Sequence, residues 1–490
     1  MKHSYKILPL LMVALSFGSC KKEFLEIDPQ QQTAVDLVVV DLPTTKAAVM
    51  GTYGLLQSVD YYGRTFTVLP DLIADNMYIS RKNSKRYITY DQYITTTNDG
   101  SASGAWERGY QTVVNSNIII AKGEQLVVPE TQAAEMKHLI GEAYTLRALA
   151  HFDLLRLFAA PYNATADASH LGVPVVIKSG TSKEDVISPK RNTVKEGYTQ
   201  IVADLQKAIS ILPATAPVGF SASNRGHITH YAAKALLARV YLYMGDWVNA
   251  ETMATDVIAA NKYTMLSNAN YVTGATNFRT QNNAEAIFEV QYTATNNLAQ
   301  NALSSFLLQG ASYGDGLATD ELYNLYKSTD VRRGFMAKSK RSGSGGEDPA
   351  FVITKYNNIS TYEEGVKVIR LSEVYLIRAE ARAKQGGKDA VAAQDLDVVA
   401  KRADATAATT TATGQALQDL ILIENRKEFA FEGHRLFDLT RHKLAFTKYR
   451  TGGLTIPVSN NSLRTVLPIP LSEMNANPNM EQNEGYLNNK

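Results

Sequence analysis

The feature that most constrains this chain is a helical period that returns again and again, broken by glycine or proline. In "ALLARVYLYMGDWVNAETMATDVIAAN" (235–261) apolar residues recur every three or four positions on both sides of Gly245, which reads as two helices joined by a tight turn. The same period predicts helices near 44–58, 105–123, 131–159, 193–212, 229–244, 247–261, 369–385, 389–403 and 416–432, with Pro161 stopping the longest. A Thr at the head of "TTKAAVMGTYGLLQS" reads as the cap of the first. Most of the chain is therefore expected to be α-helical.

The helices come in pairs. Ala238 and Tyr241 before Gly245, with Ala250 and Ala254 after it, place small and aromatic residues where two antiparallel helices can approach closely. "EVYLIRAEARAKQGGKDAVAAQDLDVVAKRA" (373–403) repeats the plan with Ala379, Gly386, Gly387, Ala390 and Ala393, and "GEAYTLRALAHFDLLRLFAAP" is a weaker third copy. Such units resemble tetratricopeptide (TPR) repeats in degenerate form. The fold class expected is mostly α: a divergent TPR-like helix-pair scaffold, paired near 131–160, 193–261 and 369–432, with long irregular loops and a few short strands. No Pro/Gly/Ser linker divides it, so a single interlocked unit is expected. The excursions 60–104 and 264–365 are too long to be mere connections and mark the loop-rich region where ligand contacts are expected.

The N-terminus sets the compartment. Lys2 and Lys6, an apolar run from Ile7 to Phe17, and Gly18-Ser19 have the anatomy of a secretory leader, and the run is too short to span a bilayer. Its removal would bring the 50 basic residues into balance with the 48 acidic ones, and no Lys/Arg-rich run offers a nucleic-acid footprint. The chain has one cysteine, Cys20, directly after the small residues. A single thiol cannot form an internal disulfide, and its place in "FGSC" fits a lipidated bacterial lipoprotein. Residues 1–19 are read as the signal peptide, 20–37 as a lipidated tether, and 38–490 as the folded domain.

Catalytic signatures are missing: there is no G-x-S-x-G, Walker loop or G-x-G-x-x-G, and no cofactor is implied. Of eight histidines only His227 and His230 lie close together, without a carboxylate or thiolate at ligand spacing, so no metal is expected. Paired carboxylates among Asp71, Asp75 and Asp91 keep a glycosidase formally open, although 48 acids make such coincidences common. The densest charged stretch is "ENRKEFAFEGHRLFDLTRH" (424–442). Glu424, Glu428 and Glu432 step by four along an expected helix, Arg426 interleaves, and Arg435 and Asp438 follow Gly433, so a partly buried ion network, paired within the motif, is expected.

That stretch resembles the signature E-R-x-x-E-L-A-F-E-G-x-R-x-x-D-L-x-R of the SusD/RagB family, surface nutrient-binding lipoproteins of Bacteroidetes. "CKKEFLEIDP", "AWERGYQTVVNSNIII", "GEAYTLRALAHFDLLRLFAAPY", "VIRLSEVYLIRAEA" and "VLPIPLSEMNANPNMEQNEGY" follow the family's order, with Asn425 in place of Arg and Glu484 in place of Pro as departures. The resemblance implies a non-enzymatic lid on the cell outer membrane, surface-exposed and lipid-anchored. It would hand oligosaccharides, or in some members peptides, to a SusC-like TonB-dependent transporter.

The family's ligand contacts lie in variable loops, so candidates come from chemistry. A glycan site needs flat aromatics for ring faces and planar polar groups for hydroxyls. "DNMYISRKNSKRYITYDQYITTTNDGSASG" (75–104) supplies Asp75, Tyr78, Arg81, Tyr90, Tyr93 and Asn98, with Asn76, Arg86 and Tyr87 beside them, and Tyr313 and Tyr362 come from the second excursion. Tyr87, Thr89 and Asp91 could instead form one face of a strand. Trp106 and Trp247 open helical motifs and are expected in the core.

Overall fold

The computed structural model describes residues 38–178, 188–216, 220–221, 223–310, 312–341 and 346–487. The leader, Cys20 and the tether lie outside the described residues.

The principal helices are α1 (Leu42–Leu56), α2 (Thr65–Ile73), α3 (Gly100–Gly123), α4 (Glu130–Phe158), α5 (Val194–Ile211), α6 (His230–Met244), α7 (Trp247–Ala259), α8 (Leu371–Gln385), α9 (Asp389–Ala403), α10 (Gly414–Glu428) and α11 (Arg435–Arg441). Each begins or ends where local chemistry says it should. Asp41, one turn earlier than the expected Thr cap, closes a capping box with Thr44 on α1, and Thr193 does the same with Glu196 on α5. Gly245 takes φ +75° at the end of α6, where its N–H reaches back to the last carbonyls and turns the chain into α7.

From α3 onward these helices pack in sequence, α3 on α4, α4 on α5, α5 on α6, α6 on α7, and then across a gap of more than a hundred residues α7 on α8 and α8 on α9 and α10. Small residues permit the spacing. A Cβ on Gly109 of α3 would sit 2.8 Å from Leu154 of α4, and one on Gly197 of α5 would sit 2.7 Å from Leu155. Ala250 and Ala254 are buried on α7 as expected. On α9 the buried pair is Ala392 and Ala393, while Ala390 faces out.

The strands form three small antiparallel sheets. β1 (Met77–Ile79), β3 (Gly316–Ala318), β5 (Ala350–Ile353) and β4 (Met336–Ser339) lie in the order β1-β3-β5-β4, β2 (Ala286–Val290) pairs with β6 (Val366–Arg370), and β7 (Phe446–Arg450) pairs with β8 (Leu454–Val458). The largest hydrophobic cluster runs from Val39 to Met480 and includes residues of both excursions, and a separate one lies among α8, α9 and α10.

Two expectations need correction here. Residues 60–104 are not one irregular excursion: they hold α2, β1 and a short helix, and Tyr61 and Tyr62 are buried with both hydroxyls donating to Asp153 of α4. Tyr87, Thr89 and Asp91 do not form a strand either, because a short helix, Ile88–Asp91, occupies that place.

The signature stretch is the structural joint of the molecule. Its helix ends at Glu428, and Phe431 and Gly433 take positive φ, so Glu432 projects from a turn instead of continuing the helical stripe. The partners are also different from those expected, since most come from elsewhere in the chain. Glu428 meets Arg332, Arg370 and Arg402, Glu432 meets Arg370 and Lys355, and Glu424 meets Arg332 and Lys427. Arg435 holds Asp75, Arg426 holds Glu321 and Asp75, and Asp438 is bonded by Arg441. With Glu285 and Asp330 these groups tie α9 and α10 to the strand-bearing half.

Candidate functional site

The geometry that could hold a ligand begins at a buried lysine. Lys448 of β7 is fully enclosed, donates to the Met77 carbonyl of β1 at 2.9 Å and pairs with Asp91 at 3.0 Å. A buried ammonium must be fully partnered, so this contact fixes the β7–β8 hairpin against β1. Alternation along a strand then turns Tyr449 away from Lys448. Tyr449 and Tyr78 both line one pocket of about 450 Å³, together with Arg81, Asp320, Glu347, Asp348 and Arg450.

Each polar group is placed by a different segment. Glu347 accepts from the Ser80 hydroxyl at 2.9 Å and the Arg81 backbone N–H at 2.6 Å, which holds its carboxylate at the pocket edge. Arg81 donates across to the Gly452 carbonyl at 3.2 Å, in the hairpin turn. Asp320 opens the short helix Asp320–Leu325, capped by Thr319, whose hydroxyl in turn donates to the Asp75 carbonyl. Arg450 has no ion pair among the described residues, and its buried Nε lacks a hydrogen-bond partner. Burial, then the carboxylates of Glu347 and Asp320, push the Tyr78 hydroxyl well above the usual phenol range; burial and a hydrogen bond to Glu321 push up Tyr449. Both phenols therefore stay neutral donors at neutral pH. Half-buried rings beside arginines and carboxylates can meet both the ring faces and the hydroxyls of a sugar.

The expected residues divide sharply. Tyr78 and Arg81 line this pocket. Asp75 does not: it is 4% exposed, and Arg435 holds it at 2.7 and 2.8 Å, so against the cost of burial its carboxyl lies below the usual range. Tyr90 is 3% exposed and spends its hydroxyl on Asp99, the cap of α3. Tyr93 is half-buried and donates to the Ile73 carbonyl at 2.6 Å. Asn98 is exposed but outside the pocket. One face of Tyr313 is covered by the Arg86 guanidinium, 3.5 Å from its ring centre. Tyr362 lines a separate space of about 10 Å³, too small for a sugar ring. Asp75, Tyr90 and Tyr93 are thus corrected, because internal hydrogen bonds use their polar groups, while Asn98, Tyr313 and Tyr362 lie outside this pocket.

Sequence reasoning missed Tyr449, Arg450 and Asp320. The first two carried a signal, because "FTKYRTGGLTIPV" shows two short alternating runs around Gly-Gly, the mark of a hairpin.

Comparison with known proteins agrees with this architecture. The family model described as the SusD family matches residues 350–486, and the one described as starch-binding, associating with outer membrane, matches residues 23–242. The starch-binding protein SusD of Bacteroides thetaiotaomicron is 41% identical over 132 residues, covering 26% of this chain and 23% of that protein. A SusD superfamily protein of the same species superimposes with a TM-score of 0.80 at 27% identity, over 91% of this chain and 100% of that one. A laminarin-binding SusD-like protein superimposes at 0.71 with 22% identity, over 91% and 100%. Two family models matching from opposite ends of the chain, over residues 23–242 and 350–486, and a fold shared across nine-tenths of it make this chain similar to SusD-family proteins along most of its length.

Proposed function

We propose that the protein captures oligosaccharides or polysaccharide fragments in the Tyr78–Tyr449 pocket and delivers them, unaltered, to a SusC-like TonB-dependent transporter, while lipid on Cys20 holds it at the cell outer membrane. The observation that carries the reading is the pocket itself: two half-buried tyrosines set beside Arg81, Arg450, Asp320 and Glu347 in a space of about 450 Å³, large enough for several sugar rings. The starch-binding and laminarin-binding names of similar proteins support the ligand class, and the outer-membrane description of the matching family supports the place.

The test is titration of a glycan panel by calorimetry, with wild type and Tyr78→Ala/Tyr449→Ala. The double variant is expected to lose about 1 to 3 kcal/mol of glycan binding, roughly 5- to 150-fold, at an unchanged melting temperature. Equal affinities would remove the pocket from the mechanism. Binding of peptides but of no glycan would overturn the ligand class, and new reducing ends appearing during incubation would overturn the non-catalytic reading. Delivery is tested separately, by co-purification with the transporter from membranes.

A further inference from the structure

A second pocket, of about 320 Å³, shares no residue with the first. It opens where α6 turns into α7 and where α8 and α11 end, and is lined by Tyr243, Trp247, Asn163, Lys384, His442 and Lys443 among others. Trp106 lies in the core as expected, at 5% exposure, while Trp247 packs against the core from its edge. Trp247 is half-buried, and its indole N–H has no hydrogen-bond partner among the described residues.

The charge around this ring is one-sided, and no carboxylate among the described residues lines the pocket. Arg441, also in the lining, is fully used below the floor: it bonds both Glu380 and Asp438, and His442 lies 3.0 Å from the same Glu380. Lys384 donates at 2.7 Å to Gln418, a neutral amide, so its charge is not cancelled. Lys443 is exposed, with no ion pair among the described residues. Helix C-termini attract lysines, but the end carbonyls here are occupied. Gly245 and Asp246 close α6 through Leu242 and Tyr241, and Asn163 donates to the Arg441 carbonyl at 2.7 Å, leaving its own amide oxygen as an acceptor. Two uncancelled ammonium groups, an open indole and an amide therefore surround a space sized for one or two sugar rings.

We propose that this pocket is a second ligand site, selective for a sugar ring that carries an anionic group, either a carboxylate or a sulfate. The ring lies against Trp247, the anion meets Lys384 and Lys443, and a ring hydroxyl reaches Asn163. The site is independent of the pocket proposed above for glycan capture.

Because the chain has only two tryptophans and the other is buried, Trp247 reports its own occupancy by fluorescence. The intact protein is titrated with D-glucuronate and with D-glucose, which differ only at C6. Saturable quenching by glucuronate in the millimolar range, about tenfold tighter than by glucose, is the expected result, since charge-assisted hydrogen bonds discriminate on this scale. Lys384→Gln/Lys443→Gln should remove the preference and leave weak quenching by both sugars. Tyr78→Ala/Tyr449→Ala should leave the titration unchanged, which keeps this test separate from that of the capture pocket. Glucose 6-sulfate in place of glucuronate distinguishes the two anion sources. Equal affinity for glucuronate and glucose, an unaltered preference in the double lysine variant, or identical quenching by sodium acetate would each overturn the proposal.

Discussion

Replacing Glu428 by Gln tests whether the signature stretch is a structural joint. Glu428 is fully buried where Arg332, Arg370 and Arg402 converge, with Arg332 at 2.8 Å and Arg370 at 2.5 Å, and the Tyr271 hydroxyl donates to it at 3.1 Å. Against the cost of burial, Arg402, Arg370 and Arg332 hold its carboxyl far below the usual range, so it is ionised at neutral pH. The connected network sets Arg332, Lys355, Arg370, Arg402 and Lys427 against Glu285, Asp330, Glu424, Glu428 and Glu432, so the charges balance. Glu428→Gln keeps the shape and leaves one uncompensated positive charge inside. Breaking a buried pair in this way costs about 3 to 5 kcal/mol. With an unfolding entropy of about 2.1 cal/mol/K per residue, a chain of 490 residues changes stability by about 1 kcal/mol per degree near its transition, so the melting temperature should fall by about 3 to 5 °C. Thermal melts followed by circular dichroism measure this, with Glu135→Gln as reference because its pair with Lys46 is at the surface and worth less than about 1 kcal/mol. If Glu428→Gln melts no lower than the Glu135 variant, the network is not what joins the two halves.

Two further outcomes follow from other buried charges. Glu364 is buried and its carboxyl is pushed up to about 7 by burial, against the N–H groups of Asn357 and Asn358 that favour the ion. Its contribution to stability is complete below the unfolded value of 4.5 and is lost as pH rises through about 7, so it makes the protein more stable at pH 5 than at pH 7.5 by about 3 kcal/mol at most. Urea midpoints at the two pH values should differ by correspondingly less in Glu364→Gln, and an unchanged difference would exclude Glu364 as the source. Lys448→Met leaves Asp91 buried without its ammonium and frees the hairpin from β1; stability should fall by about 3 to 5 kcal/mol and glycan affinity should fall with it, although Lys448 does not line the pocket. Calorimetry on protein shown to be folded by circular dichroism checks this, and wild-type affinity would show that the hairpin does not shape the site.

Helices were readable from sequence because their causes are local. The 3.6-residue period, the Gly245 turn and the Thr193–Glu196 box all act within a few residues, so α4, α5, α6 and α9 lie within two residues of the expected spans. The identity of the charged joint was legible for the same reason, because Glu424 to Asp438 are contiguous. What each charge touches was not legible. Glu428 and Arg370 are 58 residues apart, and Arg435 reaches Asp75 across 360.

The candidate site shows the same division. Composition alone made Tyr78, Tyr90 and Tyr93 equivalent, since all three stand in one polar, tyrosine-rich stretch. Tertiary structure separated them: the cap of α3 took the Tyr90 hydroxyl and the end of α2 took that of Tyr93. Tyr78 was left at the rim because a buried lysine 370 positions later pulled a hairpin, with Tyr449 on it, against its strand. Sequence by itself determined which segments become helices and which residue types a ligand could meet. Only the folded chain decided which of those residues share a space, because burial of a ring or a charge depends on partners that no local pattern contains.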